Sequence, residues 1–149
     1  MIDEIKFEGF GSLFLCSPSS VDEVKKIKDP LRLCITRGQA PKVMAKWAHH
    51  SHDSKGRPNR LIEAMSPSWN ILNKYKASRR DKMAEKEYVY GWHLEKDENH
   101  TYKRAISSVC DLLEKGRNVV LGCFCECLFC HRFLVAEDIK TEMARRSSK

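Results

Sequence analysis

Four of the seven cysteines fall in one run, Cys123-Phe124-Cys125-Glu126-Cys127-Leu128-Phe129-Cys130, which passes directly into His131 and Arg132. A thiolate is a nucleophile and a soft metal ligand, imidazole is a base near neutrality, and a guanidinium holds phosphate or carboxylate through two parallel bonds. Three chemistries suit this set. Nucleophilic attack on an anionic substrate would use a cysteine of the run between strand and helix, with Arg132 nearby. Metal binding would use Cys125, Cys127, Cys130 and His131 around zinc, because Cys127-x2-Cys130 is a ligand spacing. Redox exchange would use the same Cys127-x2-Cys130 pair.

Spacing narrows these options. Phosphatase loops hold five residues between cysteine and arginine, whereas six separate Cys125 from Arg132 and four separate Cys127 from Arg132. A thioredoxin fold needs strands after its motif helix, and only one helix and a short tail remain. Five donors within nine residues cannot all reach one tetrahedral centre, and no second ligand pair stands elsewhere. The expectation is therefore a cluster of reduced thiols with no cofactor, and zinc is the alternative. Cys16, Cys34 and Cys110 read as isolated core residues, and His49, His50 and His52 as a solvated loop.

The elements that must position this run are legible around it. Residues 118–124 form a continuous apolar stretch, as in a strand covered on both faces. A helix from Cys130 or His131 to Arg145 follows, so the cysteines lie at the carboxyl end of a strand, where α/β sheets bind ligands. A thiol in the first turn of that helix would meet unpaired N–H groups and the positive end of the helix dipole, which favour thiolate.

Upstream, alternation over residues 5–10 and 12–16 predicts one strand or a bent pair, ended by Ser17-Pro18. Ser20-Val21-Asp22-Glu23 has the spacing of a capping box, opening a short helix to about Lys28. Residues 31–36 read as a strand. Residues 43–48 can form a short helix, and 49–60 read as a polar, basic surface loop. Ser66 is a candidate cap for a helix carrying Trp69, Leu72 and Tyr75, and a second helix carries Met83, Tyr88, Tyr90 and Trp92. These aromatics fit helix packing better than a base-stacking platform. Asn99 or Thr101 can cap a helix bearing Tyr102, Ala105, Ile106, Val109, Cys110, Leu112 and Leu113, ended by Gly116. Strands alternating with helices predict an α/β fold: one three-layer domain over residues 1–149, with a mainly parallel central sheet and a frayed tail at 146–149.

Composition bounds the rest. At 149 residues, 42% hydrophobic and 32% charged, the chain has enough apolar material for one core. No apolar run approaches the roughly 18 residues of a membrane span, and no basic-then-apolar leader opens the chain, so a cytoplasmic protein with no membrane partner is expected. The net charge of +7 is uneven. Residues 31–62 carry Arg32, Arg37, Lys42, Lys46, Lys55, Arg57 and Arg60 against the single acid Asp53. That bias suits an anionic partner, a nucleotide or nucleic acid, or serves only solubility.

The ending, Val119-Val120-Leu121 through Cys130-His131-Arg132 and Leu134-Val135-Ala136, resembles the domain of unknown function 488 family. Members of that family end on an apolar strand, a cysteine, a short loop, a Cys-His-Arg triplet and a helix. Ser66-Pro67-Ser68-Trp69 with Leu72 and Tyr75-Lys76, and the strand end Ile35-Thr36-Arg37, are similar to two further stretches of the family. Cys123-x-Cys125-x4-Cys130-His131 is also similar to the domain of unknown function 4326 family. The resemblance implies a small α/β domain in which Arg37, Cys123 or Cys125, Cys130, His131 and Arg132 gather in one pocket. The expected function is binding, with modification a further option, of an anionic nucleotide-like ligand there. The alternatives are a non-enzymatic basic protein that grips nucleic acid or a protein partner, and a zinc-binding module.

Overall fold

The computed structural model describes residues 2–35, 60–77, 82–123 and 131–148. The elements in chain order are β1 (Asp3–Ile5), β2 (Leu13–Cys16), a 3-10 helix (Pro18–Lys26), β3 (Leu31–Cys34), α1 (Arg60–Ala64), α2 (Trp69–Ala77), α3 (Lys82–Lys96), α4 (His100–Glu114), β4 (Val119–Gly122) and α5 (His131–Ser147). The four strands form one sheet in the order β1-β2-β4-β3. β4 runs parallel to both neighbours, with Cys16 and Cys34 each in register with Gly122, while β1 is antiparallel to β2. The fold is α/β as the alternation predicts, and the sheet is mixed. Its antiparallel member comes from the amino-terminal stretch, but the first strand is Asp3–Ile5, so residues 6–10 of the expected strand are the connection to β2.

Within the apolar run at 118–124, Val119–Gly122 is the buried inner strand, Phe124 lies outside the described residues, and the strand's residues alternate between two cores. Val119 and Leu121 join Leu13, Leu15 and Ile35 under α1, α4 and α5. Val120 joins Phe14, Cys16 and Val24 on the opposite face, covered by the 3-10 helix. On that side the described cover is a 3-10 segment, where a three-layer arrangement would have an α-helical layer. Asn118 ties the strand starts together: its side-chain oxygen accepts from Ser12 N at 3.0 Å, its amide donates to Lys28 O at 3.2 Å, and its carbonyl accepts from Leu31 N at 2.8 Å.

Local signals decide the helix ends. Asn99 caps α4, its side-chain oxygen accepting from Tyr102 N at 2.9 Å, and α4 buries Tyr102, Ala105, Ile106, Val109, Cys110 and Leu113. Two caps differ from expectation. The 3-10 helix starts at Pro18, so Ser20 lies inside it and accepts from Ser17 N at 3.0 Å in place of pairing with Glu23. The α2 cap is Ser68, whose hydroxyl accepts from Ile71 N at 3.3 Å, because Ser66 is drawn into the core. Tyr75, Tyr88 and Trp92 are buried, as helix packing requires, with the Tyr75 and Tyr88 rings 5.2 Å apart, whereas Trp69, Met83 and Tyr90 are exposed. The predicted helix at 43–48 and most of the basic loop at 49–60 lie outside the described residues, and Arg60 opens α1.

Candidate functional site

The site forms at the carboxyl edge of the parallel strands. The chain leaves β2 for the 3-10 helix on one face, and reaches α5 from β4 on the other face. Adjacent parallel strands whose connections depart to opposite faces leave a crevice between their carboxyl ends. Cys16 and Cys123 stand at this edge, joined by a backbone bond from Cys123 N to Cys16 O of 3.2 Å.

Cys123 is buried on the face that α5 covers, and His131, the first residue of α5, is buried against it. Cys123 Sγ lies 3.7 Å from His131 Nδ1 and 3.9 Å from Nε2. His131 Nε2 stands 2.5 Å from the carbonyl oxygen of Ile35. A carbonyl only accepts, so Nε2 carries the ring proton and, in the neutral ring, Nδ1 is left with its lone pair, while Cys123 Sγ lies almost equally far from both nitrogens. The Trp92 ring lies alongside, with centroids 6.2 Å apart.

Arg132, also buried, follows His131 on α5. Its positive charge acts on Cys16, across the sheet from Cys123. Burial still dominates at Cys16 and pushes its thiol above the ordinary range, against the lowering effects of the Ser20 hydroxyl and Arg132. Ser20 Oγ is 3.5 Å from Cys16 Sγ, and the Cys16 thiol donates to Ser17 O at 3.2 Å.

Of the residues the sequence singles out, Cys123, His131 and Arg132 come together here. Arg37, Cys125, Cys127, Cys130 and the histidines at 49, 50 and 52 lie outside the described residues. Among the described residues no group of three or more His, Cys, Asp or Glu side chains could hold a metal ion. Cys16 and Cys34 are buried core residues, as expected, and they stand on either side of Gly122 on neighbouring strand ends. Cys110 is buried among core residues, far along α4. Cys16 could have been found from its sequence, since an apolar strand running into Cys16-Ser17-Pro18 has the same grammar as the strand that runs into Cys123. Cavities of about 570 Å³, along α2 and α3, and about 480 Å³, beside Tyr102 and Asp138, lie away from these thiols. No helix among the described residues is long and apolar enough to cross a membrane.

The family model DUF488-N3a, described as the active DUF488-N3 subclade, matches residues 20–143. That is most of the chain, and the chain belongs to the DUF488 family. No curated protein and no solved structure matches it.

Proposed function

We propose that this DUF488-family chain holds a thiol-dependent site for an anionic, nucleotide-like ligand at the carboxyl edge of its sheet. Cys123 and His131 are the reacting pair, Arg132 and Arg37 are the anion partners, and Cys125 and Cys130 are further thiols of the same site. The observation that carries this reading is the burial of Cys123 against the His131 ring, with Sγ 3.7 Å from Nδ1 and 3.9 Å from Nε2, while Nε2 is 2.5 Å from Ile35 O. The thiol proton passes to Nδ1, and the thiolate forms a bond to an electrophilic carbon or phosphorus of the ligand. The leaving group departs with the bonding pair and takes the proton back from the imidazolium. The crevice between β2 and β4 is the position at which open α/β sheets accept nucleotides, and the start of α5 contributes backbone donors. That the matched subclade is described as active supports a working site. The thiols are held reduced, as in a cytoplasmic compartment.

Calorimetric titration with nucleoside mono-, di- and triphosphates at low salt tests the reading. Binding is expected, weakened by about tenfold or more in Arg132→Ala and in Arg37→Ala through loss of a charge-assisted bond. Cys123→Ser retains binding and loses any covalent product. Binding of none of these ligands overturns the reading, as does binding that is unchanged in Arg132→Ala, Arg37→Ala and Cys130→Ser. A charge-driven nucleic-acid binder would be recognised by affinity for polynucleotide that collapses with rising salt and ignores Cys123.

A further inference from the structure

We propose that Ser66 is a positioning residue for His131, acting through the main-chain carbonyl of Ile35 to which both side chains donate. The proposal rests on the Cys123–His131 reading above and adds the part of the fold that holds the imidazole in its working orientation.

Ser66 lies at the corner between α1 and α2 and is fully buried. Its hydroxyl is 2.8 Å from Ile35 O and 3.3 Å from Ile62 O. A hydroxyl has one proton to give, and the shorter contact takes it. Ile35 is the first residue past β3: its N–H donates to Gly122 O at 2.8 Å. The carbonyl of Ile35 receives Ser66 Oγ–H from one side and His131 Nε2–H from the other. Ser66 thereby fixes where the acceptor points, and the acceptor fixes which nitrogen of the ring beside Cys123 keeps its lone pair.

The corner is itself clamped. Ser66 O accepts from Lys96 Nζ at 2.7 Å, and Lys96 is buried, its ammonium 4.9 Å from the centroid of the Trp92 ring and 5.5 Å from that of Tyr102. Glu95 Oε1 lies 3.2 Å from the same ammonium and also accepts from Ser68 N at 3.0 Å. The last turn of α3 therefore grips both sides of Ser66-Pro67-Ser68. A serine that merely ended a helix would not need its hydroxyl buried and aimed at another strand, and α2 already has its cap in Ser68.

Two readouts test this on the full chain. In the wild-type protein, nitrogen-15 spectra of the histidine rings should show His131 protonated on Nε2 and bare on Nδ1; a proton on Nδ1 overturns the proposal. In Ser66→Ala the His131 ring N–H should exchange with solvent about tenfold faster, as local opening becomes easier. Cys123 should react about tenfold more slowly with methyl methanethiosulfonate, which forms a mixed disulfide and releases methanesulfinate, because its base is displaced. Cys110 is the internal reference: general loosening accelerates labelling of both buried thiols, whereas loss of a positioned base slows Cys123 alone. Unchanged exchange and labelling, or acceleration of both thiols, overturns the role of Ser66. Should Ser66→Ala not fold, Ser66→Cys, which keeps the size and a weaker donor, is expected to give intermediate rates and is read by the same criteria. Failure of the underlying site is separately visible, since His131→Gln would then leave the Cys123 rate untouched while the ring tautomer and its dependence on Ser66 are still measured.

Discussion

The amide of Cys123 donates to the carbonyl of Cys16 at 3.2 Å, yet the two thiols leave the sheet on opposite faces, Cys16 with Val24 and Cys123 with His131. Cys34 shares the Cys16 face, because both are in register with Gly122 between them. Two strand spacings put the Cys16 and Cys34 backbones about 9 to 10 Å apart. A disulfide tolerates no more than about 7 Å. Mild oxidation of the native protein with diamide should therefore give no Cys16–Cys34 crosslink on non-reducing peptide mapping. Its appearance would contradict the register of β2, β4 and β3.

Alkaline pH should destabilise the protein through its buried acids. Burial raises the Cys110 thiol from an ordinary 9.0 to about 11, raises Cys16 in the same direction, and raises the Tyr102 hydroxyl with help from the neighbouring Asp138 carboxylate. A thiol with a raised folded pKa keeps its proton while the unfolded chain loses it. The stability it contributes is thus complete below about pH 9 and falls as pH rises toward 11. Urea midpoints measured from pH 7 to 10.5 should decline above 9, with a shallower decline in Cys110→Ala. A flat profile would mean that these groups ionise freely in the folded protein.

Acid should act through Glu142. Hydrogen bonds from Arg145, and then from Arg146, hold its carboxyl down from 4.5 to about 2. Its contribution is present above pH 4.5 and is lost as pH falls through 4.5 toward 2. Since Arg145 is half-exposed, solvent screening keeps the gain small. Glu142→Gln should therefore flatten the acid limb of the urea midpoint slightly; an unchanged acid limb would rule out this assignment.

Much of this architecture was legible from local pattern. The uniform apolarity of residues 118–124 identified an inner strand, and Asn99 with the stripe from Tyr102 to Leu113 identified α4. What was not legible depends on contacts distant in sequence. Ser66 looks like a helix cap because Pro67 follows it, and only the approach of Ile35, 31 residues away, takes its hydroxyl inward. Cys16 and Cys34 look solitary because their neighbour Gly122 comes from a strand about a hundred residues later. The capping box at Ser20 lost to Ser17 because Pro18, lacking an N–H, suits the first helical position better than the interior. The Cys-His pairing was half visible: the residue types were apparent, and the tautomer depends on a carbonyl that no pattern reveals.

Asn99→Ala removes the acceptor for Tyr102 N at the start of α4 and should cost about 1 kcal/mol in urea unfolding. Thr101→Ala, the other candidate cap, should cost clearly less, because α4 begins at His100 and Asn99 already makes the capping bond. Equal costs would show that the helix starts later than observed.

Gly11 and Gly116 separate two reasons for glycine near the edge of the sheet. A Cβ on Gly11 would lie 2.0 Å from the Arg117 carbonyl oxygen and 2.6 Å from its carbon, both backbone atoms that cannot swing aside. Gly116 has φ +88 and nothing within 4 Å of a Cβ, so its alanine suffers only the left-handed backbone cost. Gly116→Ala should therefore lose about 1 kcal/mol. Gly11→Ala should lose about 3 kcal/mol, as overpacking does where the neighbours are rigid. Relief at Gly11 requires pushing β2 away from the α4–β4 turn, which strains the 2.8 Å bond from Gly11 N to Leu113 O and the pairing that follows from Ser12 to Cys16. The far end of that pairing is the bond between Cys16 and Cys123. Amide exchange at Cys123 N should accordingly rise in Gly11→Ala and stay near wild type in Gly116→Ala. Equal exchange in the two variants would mean that the close approach at Arg117 does not hold the carboxyl edge in place.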